Sequence, residues 1–231
     1  MASIARSAMR PGWQDLSVRF PDDRDCLASF LALELAEVLR GAKPANLVCL
    51  ANKRRACGRN LYLLWKEHGA ELLEESGLRG KLLVDRGNSL LLLLYSQQAL
   101  GSLLRQKATQ VILSKTGYPD PSDLEGALCE LKMRVAGEGF PHEIGVFLGY
   151  PLKDVVGFLG WAPLSFTCQG PWKIFGNPAP SLRLAELHRE CRCQMSQQLA
   201  SGCNPHDCLK GRLANSATDT PAARTFFSPV T

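Results

Sequence analysis

Apolar and polar positions follow two different periods along this chain, and the periods predict where helices and strands lie. Apolar residues recur at helical spacing in five long segments, each bounded by capping or breaking residues. In the first of these, Asp25 is the expected N-cap and Gly41 follows the last turn. The predicted helices are Cys26–Leu39, Asn60–Glu75, Gln97–Leu113, Ser122–Val135 and Pro180–Leu199.

Shorter apolar runs between these helices predict strands. Leu47–Leu50 is one such run, and residues 81–95 form a hairpin whose loop contains Gly87. The second arm, Ser89–Tyr95, is apolar throughout, which is typical of a central strand covered on both faces. Residues 166–175 form a further run around Trp172. We therefore predict an α+β fold, with one small, mainly antiparallel sheet packed with helices in a single domain.

The chain has 231 residues, enough for one sizeable core. Residues 1–24 are polar and rich in Pro and Asp, and we expect them to form a loose N-terminal arm. Residues 25–215 form the predicted domain. Residues 216–231 are rich in Ala, Thr, Ser and Pro, and we expect a disordered tail.

The segment Phe140–Phe158 concentrates residues that require special backbone geometry. It fits two short helices joined at Gly149–Tyr150, with Pro151 at the first helical position of the second. We expect Gly145 and Gly149 to allow a close approach of neighbouring groups or a positive φ. Packing of these two helices is its expected main role.

Three parts of the chain resemble a bacterial domain-of-unknown-function family, number 3793 in its series, which is found mostly in anaerobes. They are Lys43–Ala45, Phe140–Phe158 and Gly170–Gly176. The central part follows the family pattern HEIG-x-FLGYP-x-x-DV-x-GF, and a later helix has the family's Cys-Arg pair at Cys191-Arg192. Phe175 stands where the family often has Tyr. The resemblance implies a cytoplasmic α+β protein with no assigned reaction.

Ionisable and aromatic residues gather around this signature, and such groups often mark functional sites. The candidate catalytic residues are His142, Glu143 and Cys168, and the candidate ligand-binding residues are Tyr150, Trp172 and Lys173. The alternative for each is structural. His142 and Glu143 both stand at a helix start, where capping and the helix dipole explain them equally well.

The nine cysteines are an odd number and contain no CxxC pair. Their spacing indicates a reducing cytoplasm, in which thiols pack or bind metals rather than form disulfides. Soft ligands nevertheless cluster near the C-terminus, so a metal cofactor is one prediction, against ordinary reduced thiols or redox-reactive cysteines. The candidate metal ligands are His188, Cys191, Cys203, His206 and Cys208.

Charge and hydropathy narrow the class of partner. The longest apolar run, Leu90–Tyr95, is too short to cross a membrane, and no secretory signal is recognisable at the N-terminus. The net charge of +5 is modest, with one dense basic cluster at Lys53–Arg55.

The helix pair at 142–159 has the spacing of a helix-turn-helix, but its second helix begins Leu152-Lys153-Asp154, which is poorly suited to contact DNA bases. Nucleic acid is therefore disfavoured.

Three functions remain open. The first is a cytoplasmic binding or accessory protein of anaerobic metabolism, in one version linked to iron or redox handling and acting with a protein partner. The second is a small enzyme that uses His142, Glu143 and Cys168. The third is a DNA-binding regulator that uses the helix pair at 142–159. A concave pocket lined by His142, Tyr150 and Trp172 would favour the second, and a basic face around Lys153 would favour the third.

Overall fold

A computed structural model describes residues 12–211 and has the predicted α+β character. Helices and a few short strands alternate along this range. In chain order the elements are α1 (Trp13–Ser17), α2 (Asp23–Glu34), α3 (Ala36–Leu39), β1 (Ala45–Ala51), α4 (Leu61–Ser76), β2 (Arg79–Asp85), β3 (Ser89–Tyr95), α5 (Gln97–Leu104), α6 (Lys107–Lys115), α7 (Leu124–Ala136), α8 (Ile144–Phe147), α9 (Leu152–Phe158), β4 (Phe166–Gln169), β5 (Lys173–Phe175), α10 (Ala179–Ala200) and α11 (Pro205–Leu209).

The larger sheet has three antiparallel strands in the order β1-β3-β2. Tyr95 at the end of β3 pairs with Ala45 on one side and with Arg79 on the other, and a bulge interrupts the β2 pairing between Leu82 and Val84. The central position of β3 and the hairpin at 81–95 are confirmed. An apolar strand suits this place, because most of its side chains are buried.

The expectation of one sheet is wrong, since residues 166–175 form a separate two-stranded sheet. β4 and β5 are the arms of a hairpin, in which Phe166 pairs with Phe175. The chain reverses at Gly170, whose N–H donates to the Trp172 carbonyl at 3.0 Å. The segment thus pairs with itself, and Trp172 lies in the turn rather than in a strand.

Two predicted helices are each divided in the structure. The first begins earlier than expected, because Asp22 rather than Asp25 caps it and accepts from the Arg24 and Asp25 backbone N–H groups. It is interrupted at Leu35, where α3 starts. The predicted helix Gln97–Leu113 breaks at Gln106, whose backbone is extended, with ψ of 131°. Helical periodicity continues across both breaks, so the pattern alone does not reveal them.

The part of the predicted loose arm that the structure describes, residues 12–24, is folded. Trp13 in α1 is buried, its indole N–H donates to Ser29 at 3.1 Å, and its ring packs edge-on against Phe30. A large aromatic side chain thus anchors this segment to α2. The predicted tail at 216–231 lies outside the described residues.

The buried apolar side chains form two clusters on opposite faces of the larger sheet. One cluster includes side chains of α1, α2, α4 and α11, and the other includes side chains of α5 to α9. The predicted helix pair of the central segment is confirmed as α8 and α9, but Pro151 is the N-cap of α9 rather than its first helical residue. Within residues 12–211, no helix has both the length and the apolar character that crossing a membrane requires.

Replacement of Gly149 tests the expected role of the glycines. Gly149 has a φ of +72°, and a Cβ atom there would lie 2.4 Å from Cδ of Pro44. Both the backbone strain and the clash oppose a side chain, so Gly149→Ala should lower the free energy of unfolding by about 2–3 kcal/mol. The measurement is chemical denaturation. Gly139→Ala is the matched control, because Gly139 has a φ of +84° with open space around it; equal losses in both variants would contradict a close-approach role.

Candidate functional site

A cavity of about 210 Å³ lies between the start of α8, helix α9 and the β4–β5 hairpin. We call it the aromatic cavity, because Phe, Tyr and Trp rings contribute four of its ten lining residues. The lining residues are Phe140, His142, Ile144, Gly145, Tyr150, Asp154, Val155, Phe158, Trp172 and Lys173.

The rings of the aromatic cavity are held against one another. Tyr150 and Trp172 are stacked with their centroids 4.6 Å apart, and His142 meets Phe158 edge-on at 4.9 Å. The ammonium of Lys173 lies 5.2 Å from the centroid of Phe158, a cation–π distance. Trp172 is buried, whereas His142, Phe158 and Lys173 are exposed. The cavity therefore has an apolar interior and two basic side chains on its solvent-exposed side.

The carboxylate of Asp154 fixes the walls of the aromatic cavity. One oxygen accepts from the Trp172 indole N–H at 2.8 Å and from the Ser181 hydroxyl at 2.6 Å. The other accepts from the Phe175 backbone N–H at 3.0 Å and from the Lys153 ammonium at 2.6 Å. These four donors come from α9, the β4–β5 hairpin and the start of α10, so a single side chain joins three elements.

Asp154 remains a carboxylate although its side chain is only 1% exposed. Burial by itself raises its pKa, but the Lys153 ammonium and the other three donors outweigh burial and bring the pKa below its ordinary value. All four contacts stabilise the charged form. The group is thus a structural anchor, with its hydrogen-bonding capacity already used.

A second group of ionisable side chains lies next to the Tyr150–Trp172 stack. We call Glu37, Lys43 and His188 the buried ionisable cluster, because each is 8% exposed. The Lys43 ammonium lies 5.6 Å from the centroid of Tyr150, and the His188 ring meets Trp172 at 6.0 Å. The same two aromatic side chains therefore contact this cluster and line the cavity.

Burial dominates the electrostatics of this cluster. It lowers the pKa of Lys43 to about 8, and burial together with the nearby Lys43 charge lowers the pKa of His188 to about 4. Burial also raises the pKa of Glu37, whose Oε2 has no hydrogen-bond partner in the structure. His188 is therefore neutral near pH 7, and its Nε2 lies 3.3 Å from the Ala42 carbonyl, to which it donates in the matching tautomer.

The structure brings together four of the six candidate catalytic and ligand-binding residues: His142, Tyr150, Trp172 and Lys173 all line the aromatic cavity. Glu143 is buried elsewhere, where it accepts from the Tyr118 hydroxyl at 3.4 Å and pairs with Arg134 at 3.3 Å. Cys168 lies in β4, where it pairs with Ile174, and is not among the lining residues.

The candidate metal ligands lie in two separate places. His188 and Cys191 are on α10 and buried. His206 is on the short helix α11, and its ring nitrogens lie 2.9 Å from Glu75 and 3.1 Å from Asp25. Among residues 12–211, no group of three or more His, Cys, Asp or Glu side chains is arranged to hold a metal ion.

Sequence reasoning missed three residues of this region. Glu37 and Lys43 have no site motif around them, and their proximity to His188 depends on how α10 packs against α2 and α3. Lys43 was noted only as part of a family-like segment. From the sequence, Asp154 is only an acid at the start of the second helix of the pair at 142–159. The signal that could have identified its larger role is the nearby set of donors, Lys153, Trp172 and Ser181, each of which needs a buried acceptor.

Removal of the Asp154 charge should destabilise the protein. In Asp154→Asn, the amide NH₂ would face donors rather than acceptors, which leaves buried donors unpaired. We expect the free energy of unfolding to fall by about 3 kcal/mol, measured by chemical denaturation. Asp207→Asn, at an exposed position of α11, is the control and should change it by less than about 0.5 kcal/mol. A similarly small effect at Asp154 would contradict the anchoring role.

His188 should make stability depend on pH. Its pKa is about 4 in the folded protein and 6.5 ordinarily, so between these values the unfolded chain binds a proton that the folded protein does not. The free energy of unfolding should therefore fall as the pH decreases from 6.5 to 4, by on the order of 3 kcal/mol from this group. His188→Gln should flatten the profile in denaturation measurements across this range. Parallel profiles for wild type and His188→Gln would contradict this assignment.

Comparison with known proteins gives one match, to a family model that covers most of the chain. The family model described as "Protein of unknown function (DUF3793)" matches residues 31–209. This range includes the larger sheet, the aromatic cavity and the buried ionisable cluster. Searches of the curated proteins and of the solved structures gave no match. The chain belongs to the DUF3793 family.

Proposed function

We propose that this protein binds a small ligand in the aromatic cavity, a monocyclic aromatic carboxylate or a compound of similar shape and charge. One observation carries the proposal: a small cavity walled by aromatic rings has a lysine on its exposed side. Binding sites for small molecules are typically apolar concavities in which a few polar groups fix the orientation of the ligand. The binding protein expected from the sequence is the function that this geometry supports best.

The size and walls of the cavity support a flat, compact ligand. A volume of about 210 Å³ is below the range typical of drug-sized ligands, so one ring with a short substituent is the appropriate size. The stacked Tyr150 and Trp172 offer flat faces, and Phe140 and Phe158 complete the aromatic lining. A planar ring can make offset-stacked or edge-on contacts with such walls.

The charges around the cavity support an anionic group on the ligand. Lys173 is exposed at its edge, and His142 stands nearby on the same Phe158 ring. Asp154 is the acidic side chain of the lining, but its oxygens already accept four hydrogen bonds. A carboxylate on the ligand would therefore meet a cation and avoid repulsion from an unpaired acid.

The other two functions receive less support. The cavity lined by His142, Tyr150 and Trp172 is the feature expected to favour an enzyme, but of His142, Glu143 and Cys168 only His142 lines it. DNA binding through residues 142–159 would need free cations on α9, but the Lys153 ammonium is bound to Asp154 and to the Phe175 carbonyl.

A role in anaerobic metabolism stays a prediction. The cytoplasm remains the proposed location, supported by nine cysteines that form no disulfide.

Ligand binding can be tested with benzoate and phenylacetate, followed by tryptophan fluorescence and by isothermal titration calorimetry. We expect saturable binding of at least one carboxylate, and weaker binding of the uncharged amide of the same ring. Lys173→Gln should weaken binding of the carboxylate about tenfold, because it removes one charge-assisted contact. It should leave binding of the amide almost unchanged.

Two controls make this test specific. Lys132→Gln removes an exposed lysine on α7, away from the cavity lining, and should bind the carboxylates like wild type. Trp172→Phe keeps an aromatic wall but removes the indole, so its loss of the fluorescence change would assign the signal among the four tryptophans. Equal affinity for the acid and its amide, or no saturable binding of either, would overturn the proposal.

A further inference from the structure

A pair of thiols lies on the other side of the molecule, in the core cluster that contains α1, α2 and α4. Cys26 on α2 is completely buried, and Cys57 is half-buried in the loop between β1 and α4, packed against the same cluster. The Cys26 side chain interacts with the Cys57 thiol and with the guanidinium of Arg59. One thiol of this pair is thus reachable from solvent and the other is protected behind it.

The loop that carries Cys57 is held in a fixed turn. The Arg55 N–H donates to the Arg59 carbonyl at 2.8 Å, and the Gly58 N–H donates to the Arg55 carbonyl at 2.9 Å. The Arg59 guanidinium pairs with Asp23 at 2.7 Å and also donates to the Pro21 carbonyl. A cation is therefore fixed beside the two sulfurs by the N-terminal end of α2.

The two thiols have opposite acid–base character. Burial raises the pKa of the Cys57 thiol, but the backbone N–H and guanidinium of Arg59 and the hydroxyl of Ser17 outweigh it, so the pKa is lower than ordinary. Burial raises the pKa of Cys26 to about 12. An accessible thiol with a lowered pKa beside a protonated, protected thiol is the arrangement of an attacking cysteine and its resolving partner.

We propose that Cys57 and Cys26 form a thiol–disulfide exchange site that reacts with low-molecular-weight disulfides such as glutathione disulfide. The Cys57 thiolate attacks one sulfur of the reagent, forms a mixed disulfide and releases the first small thiolate. Cys26 then attacks the Cys57 sulfur, and the second small thiol leaves with the proton of Cys26. The protein loses two hydrogens in total, and the reagent is reduced to two thiols.

The other cysteines lack one or another of these features. Cys49 is exposed on β1, a strand at the edge of the larger sheet. Cys129 is exposed and lies 3.3 Å from the Lys81 ammonium, which gives it a cation. Cys203 is half-buried near the buried Cys208, and its recorded contact is the Ser201 hydroxyl. Cys193 is half-buried and lies 3.9 Å from the Arg189 guanidinium, so it shares access and a cation with Cys57. The Cys57 site adds to these features the interaction with the buried thiol of Cys26.

The experiment treats anaerobically purified, full-length protein with glutathione disulfide near neutral pH and follows intact mass and peptide maps over time. We expect a fast phase in which the protein gains one glutathione at Cys57, followed by loss of that adduct and a Cys26–Cys57 cross-link. Cys57→Ser should lose the fast phase. Cys26→Ala should stop at the mixed disulfide, with thermal denaturation used to show that the variant is folded.

Three variants at other cysteines are the controls, and wild type itself can give results that overturn the proposal. Cys49→Ser, Cys129→Ser and Cys203→Ser should each retain both phases. If Cys57 in wild type reacts no faster than Cys49, the reactive-thiol part of the proposal is overturned. If wild type stops at the mixed disulfide, or cross-links Cys57 to a different cysteine, the resolving role of Cys26 is overturned. The site contains no residue of the aromatic cavity, so failure of ligand binding there leaves this test unaffected.

Discussion

The acceptance of four hydrogen bonds by the buried Asp154 carboxylate is the constraint on which the arrangement of the C-terminal half depends. The hairpin β4–β5 is only a two-stranded sheet, and an isolated hairpin is marginally stable in water. Asp154 ties it to α9 through Trp172 and Phe175 and ties α10 to the same point through Ser181. Because Trp172 is one of these donors, the interaction that holds the elements together also sets one wall of the aromatic cavity.

Local signals were sufficient for some elements but not for every capped helix, since Asp22 rather than Asp25 caps α2. The helix predicted at Asn60–Glu75 is α4, which Asn60 caps, and the Gly87 loop separates β2 from β3 as predicted. The pattern failed where a break leaves the periodicity intact, as at Leu35 and Gln106. The pattern also failed for the second sheet. The apolar run at 166–175 indicates strands, but it does not indicate whether they pair with each other or with the larger sheet, because strand pairing depends on tertiary packing.

The candidate site was predictable in part, and the division has a physical reason. His142, Tyr150, Trp172 and Lys173 belong to short sequence motifs whose unusual residue types are visible in one dimension. The buried ionisable cluster is not visible in this way, since its members come from α3, the segment before β1 and the middle of α10. An isolated Glu, Lys or His is mostly a surface residue, and only packing turns these three into buried groups with shifted pKa values.

Stability does not explain why charges lie beside the Tyr150–Trp172 stack. Apolar residues of similar volume would avoid the desolvation cost of Lys43 and Glu37, and replacement of buried ion pairs by such residues is often neutral or stabilising. The cluster instead has an electrostatic consequence. Near pH 7 His188 is neutral and Lys43 retains its proton, so a positive charge lies 5.6 Å from the centroid of Tyr150, while the Glu37 carboxyl acts on the same side chain with the opposite sign. In the proposed site the Lys43 charge acts in the same direction as the exposed Lys173, and Glu37 opposes it. The proposed preference for an anion therefore depends mainly on Lys173, the lysine that lines the cavity.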